Sequence, residues 1–265
     1  MKLKKGNSRL KSGEKGKVYL VGAGTGDPEV ITVKALRLIR QADVIVYDSL
    51  LPQELLGEVK PYAELVYCGK RAGNHHLTQV QINQKLVDSA SSGKMVVRLK
   101  GGDPMLFGRG GEEAIFLSEN RIPFEFCPGV SALQVCSSYA KIPLTHRGLS
   151  SAFMVLSGDF ASIEDLDFNL LAKFKGTLVF FMARSSAGKI ADLLVEAGSD
   201  RNLPVAFIEN GGSLTQRVLT GTLEKINELH PDKDAPVLLI IGKTVLLHDR
   251  LIESEAFNYA ASVRL

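Results

Sequence analysis

Apolar residues in this chain fall in short runs separated by amphipathic stretches, and the two kinds of segment alternate. Lys17 to Val21 reads as a short strand, and Val44 to Tyr47 as a second, a continuous β-branched run suited to a buried parallel sheet. Leu65 to Cys68, Met95 to Leu99 and Phe124 to Cys127 are three more strands, the last stopped by Pro128. Between them lie helical patterns. Pro28 to Gln41 carries Ile31, Ala35, Leu38 and Ile39 on one side, and Thr78 to Ser91 opens with Thr78 and Gln81 at capping-box spacing. Gly111 to Ser118 and Val130 to Tyr139 complete the series. A repeated β-α order predicts an open α/β sheet.

The pattern breaks at Pro143 to Ser151, which holds a proline, a Thr-His-Arg triplet, a glycine and serines, and a domain linker is expected there. Beyond it, strands are predicted at Ala152 to Leu156, Leu178 to Phe181, Val205 to Ile208 and Val237 to Ile241, with helices at Ser186 to Ala197 and near Leu223 to Leu229. The expected organisation is a basic tail over 1–15, an α/β domain over 16–147, a second over 148–252 and a tail over 253–265. No fixed-period repeat is visible.

Composition changes this picture little. A length of 265 residues suits one large domain or two small ones, and 45% apolar residues suffice for a sizeable core. No apolar run approaches the roughly 20 residues of a membrane-crossing helix, and the N-terminus lacks the apolar segment of a signal peptide. A cytoplasmic protein without membrane partners is expected. Cys68, Cys127 and Cys136 form no CxxC pair and read as buried or half-buried free thiols. His75 and His76 lack partners at zinc spacing, so no metal is expected. Lys2, Lys4, Lys5, Arg9, Lys11 and Lys15 face Glu14 alone in the tail, so the rest of the chain is slightly acidic although the whole carries +3. No aromatic residue interleaves with these cations, and a solubilising leader is expected rather than a nucleic-acid-binding arm.

Two glycine-rich loops carry the candidate chemistry. The first, Val21-Gly22-Ala23-Gly24-Thr25-Gly26, links a strand to a helix, and Asp48 ends the next strand. That layout imitates a dinucleotide-binding fold, in which an acidic residue holds the ribose. The spacing is GxGxG, however, and Asp27-Pro28 supplies a carboxylate N-cap where a pyrophosphate needs free amides. The second loop is Gly101-Gly102-Asp103-Pro104, continued by Phe107-Gly108-Arg109-Gly110-Gly111. Adjacent glycines at a strand end admit close approach of a ligand to the backbone, and Asp103 suits a cationic or hydroxyl-bearing ligand better than a phosphate. Arg109, set between glycines, can bind carboxylates bidentately, whereas Glu112 and Glu113 also read as first-turn acids of the helix. Asp48 admits two readings, a partly desolvated base and a cap of the turn at Ser49.

The segments VGAGTGDPEVITVKA, ADVIVYDSL, GKRAGNHHLTQVQIN, VVRLKGGDPMLFGRGGEEA, PGVSA and IPLTHR together resemble the tetrapyrrole methylase family, in family order over residues 17–147. A weaker likeness runs through LVFFMA and PVAFIENGGSLTQRVLTGTL to VLLIIGKTV. The resemblance implies two α/β domains, a homodimer, and S-adenosylmethionine held in a cleft between the domains and released as S-adenosylhomocysteine. Within the family the motifs are most similar to those of enzymes that methylate uroporphyrinogen III at C2 and C7 to give precorrin-2. Carried over by position, the resemblance implies cofactor contacts at Thr25, Gly101, Gly102, Asp103, Leu106, Ser131, Ala132, Met182 and Gly211. It gives Asp48 and Lys70 the proton-acceptor and proton-donor positions, and aims Arg109, Glu112 and Arg147 at the tetrapyrrole.

Such a substrate carries eight carboxylates, so Lys70, Arg71, Arg98, Lys100, Arg109, His146 and Arg147 are expected as a cationic rim. Departures from the family pattern are Thr25 for a usual proline, Lys141 for glycine, Gly148 for an acidic residue and LSGDF for a Thr-Gly-His. The dehydrogenase–ferrochelatase module fused to some relatives has no counterpart here, so a stand-alone methyltransferase is expected. The alternatives are a later corrin-pathway methyltransferase, a nicotinamide-dependent oxidoreductase, and a non-catalytic binding protein of the same fold.

Overall fold

The computed structural model describes residues 15–69 and 77–253. The basic tail up to Glu14, the GKRAGNHH positions Lys70 to His76 and the final twelve residues lie outside the described residues. The chain divides into two compact units, Met1–Ser131 and Ala132–Leu265.

The first unit is built on a five-stranded sheet in the order β3-β2-β4-β1-β5, comprising β1 (Lys17–Gly22), β2 (Val44–Tyr47), β3 (Glu64–Tyr67), β4 (Met95–Lys100) and β5 (Phe124–Cys127). Every pair is parallel, as the β-α alternation and the continuous run of β2 predict. Alternation along β4 sorts its side chains. Val97 and Leu99 pack with α1 (Val33–Gln41), through Ala35, Leu38 and Ile39. Val96 faces α2 (Gln79–Ser91) and α3 (Gly110–Glu119), among Leu86, Ala90 and Leu117. Helices therefore cover both faces.

Helix α2 carries the predicted capping box, with Thr78 accepting from the Gln81 amide and Gln81 accepting from the Thr78 amide. The predicted helix from Pro28 is divided. Asp27 caps a 3-10 turn over Pro28–Val30, Ile31 and Thr32 are extended, and Thr32 caps α1 anew through the Ala35 amide. A β-branched run, Val30 to Val33, with a capping hydroxyl inside it breaks the helix that its apolar spacing suggested.

The second unit has a mixed sheet in the order β6-β7-β10-β8-β9. Strands β6 (Phe153–Ser157) and β7 (Thr177–Phe181) pair in parallel, and β8 (Pro204–Glu209), β9 (Arg217–Thr222) and β10 (Val237–Ile241) join antiparallel. Phe180, Phe207, Leu239 and Ile241 form its core with Ile190, Ala191 and Leu194 of α6 (Ala187–Glu196). Strand β9 escaped the sequence reading because it lies at the sheet edge, only part-buried and interrupted by Gly221. So did the short α5 (Phe168–Lys173), capped by Asp167. The helix expected near Leu223 to Leu229 is a single 3-10 turn, Ile226–Glu228.

The units divide before the expected linker. Helix α4 (Ala132–Tyr139) belongs with the second unit, where it packs on β10, sets Cys136 against Gly211 and receives His248 at the Ala140 carbonyl, 2.6 Å away. The Pro143-to-Ser151 stretch instead forms a tight turn closed by paired bonds between His146 and Ser150. Two departures from the family pattern acquire a physical reading here. Lys141 ends α4 in the left-handed region (φ 54°), a position natural for glycine, and Ile142 donates back to Ser137 in a Schellman arrangement. Gly148 has φ 84° at the turn's tip.

Candidate functional site

In the first unit the loops that follow β1, β2, β4 and β5 all start at the carboxyl edge of one parallel sheet, where open α/β folds place their ligands. The two glycine loops are joined through their backbones. The Gly102 amide donates to the Gly24 carbonyl at 2.7 Å, the Gly24 amide to the Gly102 carbonyl at 3.3 Å, and Ala23 to Lys100 at 2.8 Å. A Cβ on Gly22 would stand 2.5 Å from both the Gly102 oxygen and the Gly129 nitrogen, so three loops meet where no side chain fits. This accounts for glycine at 22, 24 and 102. Gly24 and Gly102 also adopt φ of 74° and 70°.

Asp103 has both carboxylate oxygens on main-chain amides, Oδ1 accepting from Met105 at 2.8 Å and Oδ2 from Gly129 at 3.0 Å. It is a brace between the β4 and β5 loops as well as the carboxylate that the resemblance assigns to the cofactor. Leu106 is part-buried, and Thr25 accepts from the Asp27 amide. Ser131 is buried at the end of this unit. In the second unit Ala132 opens α4, and Met182 follows β7 half-exposed with φ 57°. Gly211 is buried against Cys136, whose Sγ would lie 2.2 Å from an added Cβ, so any side chain there would have to displace Cys136. Burial pushes the Cys136 thiol up to about 12, and all three cysteines are free and buried.

Asp48 sits just past β2, partly screened from solvent. Its Oδ1 accepts from the Leu50 amide at 3.1 Å, the predicted turn cap placed one residue further on than Ser49. Its Oδ2 lies 3.5 Å from Arg98 Nη2. Lys70 lies outside the described residues, as does Arg71. Arg109 is left-handed (φ 57°) at the N-cap of α3 and exposed, and it binds Glu112 bidentately, Nε to Oε1 at 2.9 Å and Nη2 to Oε2 at 2.5 Å. That bond holds the Glu112 carboxyl below its ordinary range and raises the Arg109 guanidinium. Arg147 and His146 are exposed on their turn.

Two members of the expected cationic rim are corrected. Arg98 and Lys100 are buried, 4% and 5% exposed, because both follow Val96 on the face of β4 covered by α2 and α3. They converge on Glu113, which is wholly buried: Arg98 Nε and Lys100 Nζ each lie 3.0 Å from Oε1, and Gln79 Nε2 donates to it at 3.2 Å. Burial and the neighbouring guanidinium lower the Lys100 ammonium, with Glu113 opposing them. For Arg98, burial acts in the same direction but the surrounding carboxylates outweigh it. By position in the chain alone, Glu113 is a first-turn acid of its helix, like Glu112. The buried stripe Gly110, Glu113, Ala114, Leu117 has the spacing that marks an inward face and was the available signal.

The donor set has a chemical bias. The first loop offers no cation, and its following turn is capped by Asp27. Asp103 adds a second carboxylate beside the glycine backbones. This arrangement disfavours pyrophosphate and fits a small molecule bearing positive charge and hydroxyls.

Comparison with known proteins gives a concordant result. A model of the tetrapyrrole (corrin/porphyrin) methylases matches residues 17–227. "Siroheme synthase 2" of Cronobacter sakazakii is 45% identical over 238 residues, covering 90% of this chain and 52% of the relative. The siroheme synthase of Escherichia coli is 46% identical over 237 residues, with 89% and 52% covered. The chain thus spans about half the length of these relatives. A solved uroporphyrin-III C-methyltransferase of Thermus thermophilus, complexed with S-adenosylhomocysteine, superposes with a TM-score of 0.75 at 39% identity, covering 88% of this chain and 100% of that one. A cobalt precorrin-4 methyltransferase aligns at 28% identity with a TM-score of 0.74, with 86% and 95% covered.

Proposed function

The chain belongs to the tetrapyrrole (corrin/porphyrin) methylase family, and on that premise we propose that it is an S-adenosylmethionine-dependent C-methyltransferase acting on uroporphyrinogen III at C2 and C7 to give precorrin-2. The observation that carries this reading is the ordered set of loops at one sheet edge, GAGTGDP, GGDP–FGRG–EE and PGVSA, in a chain 39% identical to the whole of a transferase solved with S-adenosylhomocysteine. The lower identity to the precorrin-4 enzyme favours this substrate over a later corrin.

When bound, S-adenosylmethionine supplies a sulfonium methyl for attack by an electron-rich pyrrole carbon. The protein contributes alignment and charge. Gly101, Gly102 and Asp103, with Thr25, Leu106, Ser131, Ala132, Met182 and Gly211, are the proposed cofactor contacts. Asp103, already fixed by two amides, keeps its carboxylate in place without side-chain reorganisation. Arg109 exchanges Glu112 for a substrate carboxylate, an exchange open to an exposed bidentate pair and closed to a buried one. Arg147 offers a further cation. Asp48, oriented by Leu50 and Arg98, is the proposed acceptor of the proton lost after each transfer, with Lys70 as donor. A homodimer and a cytoplasmic location complete the reading from the family resemblance. Among the described residues, no helix is long and apolar enough to cross a membrane.

The test is anaerobic incubation of the purified protein with uroporphyrinogen III and S-adenosylmethionine, followed by product mass. Gain of two methyl groups is the expected result. No gain, together with tight binding of a nicotinamide cofactor, overturns the assignment.

A further inference from the structure

Among the described residues of the first unit, ion pairs such as Lys17 and Lys34 on Glu125 are part-exposed and ordinary. The Asp48–Arg98–Glu113–Lys100 group does not. Its two cations and two carboxylates balance, three of the four side chains are buried, and it spans the loop after β2, the end of β4 and the first turn of α3. Gln79 extends it to α2.

Stability alone gives a poor reason for the group. A buried ion pair seldom outperforms well-packed apolar residues, and breaking even requires every lone pair to be satisfied. Here Glu113 Oε1 takes three donors, while Oε2 is buried with no hydrogen-bond partner among the described residues. A leucine at 113 would continue the apolar face of Ala114 and Leu117 without that penalty.

What the charges supply is placement. Lys100 immediately precedes Gly101, and Glu113 immediately follows Glu112. The Lys100–Glu113 bond therefore closes the base of the whole segment Gly101–Glu112, which holds both Asp103 and Arg109. Inside the segment, Gly110 donates to Pro104 at 2.9 Å, and Gly102 is bridged to Gly24. From the same Glu113 oxygen, Arg98 reaches across to Asp48.

We propose that Glu113 is a positioning residue for methyl transfer: through Lys100 it clamps the loop carrying Asp103 and Arg109, and through Arg98 it sets that loop against Asp48. The proposal rests on the methyltransferase reading above, and its test has a readout that does not.

Two variants are compared with the wild type. Glu113→Gln removes the carboxylate and leaves an excess buried cation. The double variant Lys100→Met, Glu113→Gln is charge-balanced, because Arg98 keeps Asp48, and it retains an acceptor for Arg98. The measurements are melting temperature, amide hydrogen exchange over residues 101–111 without ligand, and kcat and KM per folded molecule. The expected double variant melts close to wild type, exchanges faster over the loop, and loses kcat on the order of 10- to 100-fold, as for an ångström-scale misplacement. Its KM for S-adenosylmethionine changes much less. A double variant with wild-type exchange and kcat overturns the proposal, since the cluster is then structural only. Failure of the charge-balanced variant to fold also overturns it, by making the cluster a folding element. A wild-type protein that transfers no methyl group refutes the proposed function alone, and loop exchange still decides whether the clamp exists.

Discussion

Glu112 and Glu113 are consecutive in sequence, and each bonds an arginine, but their surroundings are opposite. Glu112 pairs with Arg109 at the surface, both side chains 55% exposed. Glu113 pairs with Arg98 and Lys100 in the interior, with no exposure at all. One residue of helix turns a side chain by about 100°, enough to move it from the solvent face to the buried stripe. The exposed pair can exchange partners at little cost, as a substrate contact must. The buried one cannot, and it defines where the loop between Lys100 and α3 goes.

Four changes test this contrast. The largest effect is expected for Glu113→Gln, which leaves two cations around a neutral side chain. Breaking a buried pair costs on the order of 3–5 kcal/mol, read from the urea midpoint at constant m. A loss under about 1 kcal/mol would put this pair in the same class as the exposed one. Next comes Gly22→Ala, which touches neither carboxylate. Its Cβ would press on the backbones of Gly102 and Gly129, and overpacking of this kind costs about 1–3 kcal/mol by the same assay. No change there would mean that the joined loops yield easily.

Arg109→Ala should move stability by less than about 1 kcal/mol. Loss of one charge-assisted contact, about 1.5–3 kcal/mol, should lower kcat/KM for the tetrapyrrole roughly 10- to 150-fold. S-adenosylhomocysteine affinity, measured by calorimetry, is expected to hold; its collapse would move Arg109 to the cofactor.

The smallest effect belongs to Glu112→Gln and shows only with pH and salt. Arg109 holds the Glu112 carboxyl below its ordinary 4.5 in the folded protein. The pair's stabilisation is therefore complete above that unfolded value and disappears as pH falls through the lowered folded value. At this exposure it amounts to a few tenths of a kcal/mol, and salt screens it. Wild type and variant should converge in acid or at high salt; a gap that persists in both would deny the pair its surface character.

Where the strands lie was legible in the chain, because strands buried on both faces read as apolar runs whether parallel, as Val44–Tyr47, or antiparallel, as Val237–Ile241, and both have the bounds their sequence implied, as does Phe124–Cys127 before its proline stop. The loops that carry the candidate chemistry were legible too, since glycine and proline punctuate them. The Thr78 capping box was readable from two residues three apart. Less was visible where local rules compete. The α1 start moved to Val33 because Thr32 prefers to cap, and the edge strand β9 lacked the apolar run of an inner one.

The alternation of elements, the positions of the glycine turns and the family whose motifs they match are thus all properties of short contiguous segments, and could be read along the chain. Packing between distant segments settles which glycines are glycine because another backbone touches them, and which charges are buried. Gly22 meets Gly102 and Gly129 from segments distant along the chain, and Arg98 faces inward because α2 and α3 cover that side of β4. The chain order states neither fact, because each depends on what packs across the sheet rather than on what stands next in line.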